Sequence, residues 1–231
     1  MIICIGIGPG DIDYITQKGA SLIREADVIA GFTTVNEFAK QLAKPDAQFY
    51  QLTYKNQVEE LDKVASEHHN GRKCVVLLMG DAHFSGYQLV ERVVKAVEHD
   101  VEVVPGISSS QVLASKTKVC FDETSFVTFH RRGDLEPFKK HLTHVIEDDR
   151  NAIVIPHTWD FMPSDVAEYL IDNGASNDHP VEVWENLTGD EAMWAGTLAD
   201  CAKQRDADGK DIFSHFSIML IRTLNPIPSQ V

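Results

Sequence analysis

The stretch that most constrains this chain is Ile2 to Asp11. Ile2 to Ile7 is an apolar run that reads as a buried strand. It runs into a loop with Gly6, Gly8 and Gly10 at alternate positions. Glycine reaches positive φ and carries no Cβ to keep a ligand off the backbone. A strand entering such a loop is how an α/β protein builds a ligand site at a strand's carboxyl end. The pattern approaches the dinucleotide fingerprint G-x-G-x-x-G without matching it. Pro9 follows the second glycine, and the third comes one residue too early.

The rest of the chain alternates between strand and helix patterns. Strands are expected at Val28–Ala30, Gln48–Leu52, Lys73–Met79, Val101–Val104, Ser125–Phe129, Ala152–Ile155, Val181–Trp184, Met193–Thr197 and His215–Ile221. Helices are expected from Thr16 as N-cap to Ala26, then at Val35–Leu42, Gln57–His69, Gln88–Glu98, Ser108–Lys116, Leu135–Glu147, and from Ser164 as N-cap to Asn173. This order predicts α/β architecture with largely parallel sheets. A break near Thr117–Thr124 divides it into an N-terminal α/β domain (1–118) and a C-terminal α/β domain (119–222), followed by a tail (223–231).

Composition narrows the function. At 43% hydrophobic and 24% charged the chain is ordinary for a globular protein. No apolar run approaches the ~18 residues that span a bilayer, and an N-terminus that is already core predicts no cleaved leader. Cys4, Cys74, Cys120 and Cys201 are far apart, so reduced thiols and a cytoplasmic location are expected rather than a disulfide or metal knuckle. A net charge of −14 opposes non-specific nucleic-acid binding but leaves room for a local basic site. His68-His69, and His141 with His144, lack a third ligand at suitable spacing, so no protein-held metal is expected.

Two further loops share the form of the first: Leu78-Met-Gly-Asp-Ala-His-Phe-Ser-Gly86 and Val103-Val-Pro-Gly-Ile-Ser-Ser109. Parallel strands would gather all three at one sheet edge. None is followed by the Gly-Lys-Ser/Thr of a phosphate loop. Singly, each could be no more than a tight turn. Together, and in this order, they resemble the tetrapyrrole (corrin/porphyrin) methylases. The resemblance extends to Glu185-Asn-Leu187 followed by Gly196-Thr-Leu198, and so covers nearly the whole chain. It implies a two-domain tetrapyrrole methylase fold, usually homodimeric, with S-adenosylmethionine (SAM) in the inter-domain cleft.

Within the family the chain looks most like members that methylate C5 of a corrin precursor in cobalamin biosynthesis. Phe84-Ser-Gly86, Phe129-His-Arg-Arg-Gly133 and the segment Glu185–Glu191 carry that likeness. Two positions depart from the pattern: Ala82 stands where a proline is usual, and Phe32-Thr33-Thr34 replace basic residues after Gly31. The resemblance implies that Pro9, Asp81, Phe84, Gly106, Ile107 and Ser108 hold SAM from the first domain. Ile155, Pro156, Asn186, Leu187 and Ser217 would do so from the second. Gly8 and Gly10 would meet the tetrapyrrole.

An anionic, carboxylate-rich tetrapyrrole needs local positive charge. His130-Arg131-Arg132 is the best cluster, with Arg131 and Arg132 as bidentate carboxylate partners. Glu185 and His130 are candidates for a general base by type and place; the plainer readings are that Glu185 faces solvent at a strand end and that His130 only caps one. Cobalt, where present, belongs to the substrate. A separate C15-methylating decarboxylase is a conceivable partner enzyme. Other readings stay open: another tetrapyrrole methylase, diphthine synthase, an NAD-dependent oxidoreductase, or a non-catalytic binding module. A ribosomal-RNA methylase of this fold is disfavoured by the acidic charge.

Overall fold

The computed structural model describes residues 2–158 and 160–226 and divides into two compact units, Met1–Ser109 and Ser110–Val231. In the first, β1 (Ile3–Gly6), β2 (Val28–Phe32), β3 (Gln48–Leu52), β4 (Cys74–Leu78) and β5 (Glu102–Val104) form one sheet in the order β3-β2-β4-β1-β5. Every pairing in it is parallel. Helices α1 (Gln17–Glu25), α2 (Thr33–Ala39), α3 (Gln57–His69) and α4 (Tyr87–Val97) connect the strands.

The inner strands β1, β2 and β4 read as unbroken apolar runs because both sheet faces are covered there. Alternate residues go to opposite cores. Cys4, Val28, Ala30, Val76 and Leu78 pack with Leu61 and Val64 of α3 and Val90 and Val93 of α4. Ile5, Ile29, Val75 and Leu77 pack with Ile23 of α1 and Val35 and Phe38 of α2. Thr16 caps α1 as expected, its hydroxyl accepting the Gly19 N–H at 3.1 Å. A short 3-10 turn, Ile12–Tyr14, joins the first glycine loop to that helix.

The second unit carries α5 (Ser109–Thr117, which straddles the division), β6 (Thr124–Thr128), α6 (Glu136–Glu147), β7 (Asn151–Ile155), α7 (Pro163–Asp172), β8 (Pro180–Glu185), β9 (Ala192–Thr197), α8 (Leu198–Cys201) and β10 (Ser217–Ile221). The strand order is β6-β7-β10-β8-β9. Here the expectation of largely parallel sheets fails. Only β6–β7 is parallel; β7–β10, β10–β8 and β8–β9 are antiparallel. The link from Glu185 to Ala192 is too short for the dozen or so residues a parallel crossover needs, so β8 and β9 form a hairpin.

Ser164 is not the N-cap of α7. That place belongs to Met162, whose N–H donates to the Asp165 carboxylate at 2.9 Å. The Ser164 hydroxyl instead donates to the Gln204 carbonyl at 2.9 Å. The expected tail begins pinned rather than loose: the Thr223 N–H donates to Asn151 Oδ1 at 3.1 Å, and the Asn225 amide reaches Asp149. Residues 227–231 of that tail lie outside the described residues. Among the described residues no helix is long and apolar enough to cross a membrane.

Candidate active site

Because the first sheet is wholly parallel, the loops after β1, β4 and β5 leave it on one edge, and there they are joined backbone to backbone. The Ile7 N–H donates to the Leu78 carbonyl at 3.0 Å. Gly8 and Gly80 exchange both hydrogen bonds, at 3.2 and 2.8 Å. A Cβ on Gly6 would stand 2.6 Å from the Gly80 oxygen and 2.7 Å from the Gly106 nitrogen, so a side chain there would force the loops apart. Gly8 (φ +90°) and Gly80 (φ +62°) hold the left-handed backbone that turns the loops over the sheet edge.

Asp81 is the joint between the second and third loops. Its carboxylate is 5% exposed, and both oxygens are engaged. Oδ2 accepts the Gly106 N–H at 2.9 Å. Oδ1 accepts the His83 N–H at 2.7 Å and lies 3.1 Å from His83 Nδ1. Ser108 is buried, Pro9, Phe84, Gly106 and Ile107 are half-buried, and Gly10 is exposed. The first unit therefore brings all eight of its expected residues to one edge. His83 escaped the sequence reading. The readable signal was an imidazole two residues after an acid in a strand-end loop.

The second unit does the same with its own residues. β10 runs antiparallel to β7 and β8, so its start lies with their ends. Ser217 pairs with Glu185, and Met219 pairs with Val154, which carries Ser217 to the level just past Ile155. β6 is parallel to β7, and the Phe129 N–H donates to the Ile155 carbonyl at 2.8 Å, so His130, Arg131 and Arg132 leave at this edge too. Asn186 (φ +49°) and Thr188 (φ +73°) turn the chain sharply after β8. Leu187 between them is buried.

Within this edge the polar groups differ in what they already hold. Glu185 accepts the Ser214 N–H through Oε1 at 2.5 Å, which ties its carboxylate to the loop before β10. The Arg131 guanidinium lies 4.3 Å from the centre of the Phe138 ring. Burial, and then the charge of His157, push the His130 imidazole below its ordinary value. The Ser217 hydroxyl is buried with no protein hydrogen-bond partner among the described residues.

Taken separately, the first unit's edge offers backbone N–H and C=O groups from its glycine loops, and the second unit's edge offers the buried Ser217 hydroxyl. A buried polar group without a partner is costly, so a bound hydroxyl or carboxylate would satisfy it.

Comparison with known proteins identifies the family. The family profile of tetrapyrrole (corrin/porphyrin) methylases matches residues 1–202. A probable cobalt-precorrin-7 C(5)-methyltransferase of Methanocaldococcus jannaschii is 31% identical over 81% of this chain and 84% of its own. The cobalt-precorrin-4 C(11)-methyltransferase of the same organism is 30% identical over 97% of this chain and 88% of its own. The solved structure of a cobalt precorrin-4 methyltransferase superposes with a TM-score of 0.76 at 23% identity, covering 96% of this chain and 94% of that one. The chain belongs to the tetrapyrrole methylases and is a SAM-dependent C-methyltransferase.

Proposed function

We propose that this enzyme methylates C5 of a cobalt-precorrin, or of its metal-free counterpart, in the assembly of the corrin ring of cobalamin. The observation that carries this reading is the likeness to the C(5)-methyltransferase relative over most of both chains. SAM supplies an electrophilic methyl on a sulfonium sulfur. The protein's part is to hold the ring carbon in line with that methyl and to keep water out, which is where most of the acceleration of such a displacement arises.

The residues divide that work. Pro9, Phe84, Gly106, Ile107 and Ser108 hold the cofactor from the first unit. Ile155, Pro156, Asn186, Leu187 and Ser217 hold it from the second. Gly8 and Gly10 let the tetrapyrrole approach the backbone. Arg131 and Arg132 pair with its carboxylates, with Phe138 keeping the Arg131 fork extended. Asp81 serves by fixing the loops. The working form is proposed to be a cytoplasmic homodimer, with the C15 methylation and decarboxylation left to another enzyme.

The C(11)-methyltransferase relative covers still more of this chain and supports methylation at C11 as the second reading. Parallel incubations of isotopically labelled SAM with cobalt-precorrin-6B and with cobalt-precorrin-4, each also in its metal-free form, test both. The expected outcome is stoichiometric S-adenosylhomocysteine and a label that carbon NMR assigns to C5. Label at C11 of an earlier precorrin, with none at C5, would replace the first reading by the second.

A further inference from the structure

His83 stands at the first unit's sheet edge with a geometry that the cofactor contacts leave unexplained. Its side chain is 55% exposed, while the Asp81 side chain beside it is 5% exposed. The Asp81 carboxylate cannot swing away without breaking its bonds to the Gly106 and His83 N–H groups. An ionised carboxylate only accepts hydrogen bonds, so the His83 nitrogen 3.1 Å from it, Nδ1, carries a proton. In the neutral ring Nε2 then keeps its lone pair. The Tyr87 ring, in the first turn of α4, lies 5.6 Å away and flanks the imidazole. An acid that fixes the tautomer and orientation of an imidazole is the arrangement that makes histidine a directed proton acceptor.

We infer that His83, oriented by Asp81, accepts the proton lost from the methylated ring carbon; this rests on the function proposed above. The ring carbon's π pair forms the new C–C bond, and the C–S pair stays with sulfur. The C–H pair then returns to the ring as Nε2 takes the proton. Asp81 stabilises the resulting imidazolium, which passes its proton to solvent. Asp81 is a positioning residue here. Glu185 is the less available acceptor, since its Oε1 already accepts the Ser214 N–H.

Two measurements test this on the intact enzyme. In the first, His83→Gln and His83→Ala are compared with wild type in single-turnover methyl transfer to cobalt-precorrin-6B. The rate should fall about 100-fold with S-adenosylhomocysteine affinity held within about twofold, and the acid limb of the pH profile should vanish. Added imidazole should restore part of the rate to His83→Ala. Near-wild-type rates with an unchanged pH profile would overturn the inference. In the second, ring nitrogen NMR of the S-adenosylhomocysteine complex should place the His83 proton on Nδ1, and Asp81→Asn should shift that signal. A proton on Nε2 would sink the idea with no need of turnover. Wild type that binds S-adenosylhomocysteine, shows the expected tautomer and methylates neither corrinoid would overturn the substrate assignment, not the orientation of His83.

Discussion

Gly106 shows how much of this site is decided by the absence of an atom. Its neighbours are the Gly6 backbone and the Gly80 carbonyl; an added Cβ would lie 2.7 Å from the Gly6 oxygen. Backbone cannot turn aside as a long side chain would, so Gly106→Ala must separate the three loops. The expected cost is about 1–3 kcal/mol from overpacking, with a clear loss of S-adenosylhomocysteine affinity by calorimetry. Gly174→Ala is the matched control. It has positive φ (+95°) but nothing within 4 Å of the added Cβ. It should lose about 1 kcal/mol through the backbone alone, with affinity unchanged. The need for glycine was legible in the sequence, but the neighbour was not. Nothing in Pro105-Gly-Ile-Ser says that Gly6 will lie against Gly106, because that contact depends on β1 and β5 being adjacent. Asp81 was legible as an acid in a ligand loop, and its bond to Gly106 was hidden for the same reason.

The β8–β9 hairpin makes the corresponding case for elements. Both strands were readable from apolar alternation, and the Thr16 cap of α1 was readable from residue chemistry. Their pairing direction was readable too, since the link between β8 and β9 is short, but alternation with helices elsewhere pointed to parallel sheets. The four-residue helix α8 and the Met162 start of α7 had weaker signals. Helix α8 is shorter than two turns, and the α7 cap depends on Asp165 reaching back to a backbone N–H. In the hairpin loop, Thr188 holds φ +73°, a region that strains a β-branched residue. Its N–H donates to Glu191 Oε1 at 2.8 Å, and Glu191 Oε2 in turn accepts from Lys116 Nζ at 2.9 Å, so the surroundings impose the conformation. Asparagine tolerates that region and keeps the N–H. Thr188→Asn should therefore raise the urea midpoint by the equivalent of about 0.5–1 kcal/mol at unchanged slope. A fall in the midpoint would mean that the threonine side chain contributes more than its backbone costs.

At the scale of the whole molecule, charge and pH act together. Several paired carboxylates are held below their ordinary values. Asp27 is lowered chiefly by its hydrogen bond to Lys44, Glu67 by Arg72, and Glu191 by Lys116. Each adds stability above its unfolded value, and that stability is lost as pH falls through the folded one. The first acid loss should come earlier, from histidine. Burial, and then nearby charges that include His99 and His69, push His68 below its ordinary 6.5. The His68 and His99 rings are 5.6 Å apart, and His68 Nδ1 is buried with no hydrogen-bond partner among the described residues. The unfolded chain thus binds a proton at His68 more readily than the folded one. Stability is full above pH 6.5 and falls as pH drops from there through the lower folded value. Relief of self-repulsion as the net charge of −14 shrinks toward the isoelectric point near 5.0 acts in the opposite direction. Salt separates the two, because it screens dispersed surface charge and leaves the burial of His68 unchanged. Thermal midpoints followed from pH 8 to pH 5 in moderate salt should show a decline beginning near 6.5. His68→Gln should flatten that decline, leaving the carboxylate losses at lower pH in place. An identical profile in the variant would remove His68 as the cause and leave His130, likewise lowered by burial, as the group to test.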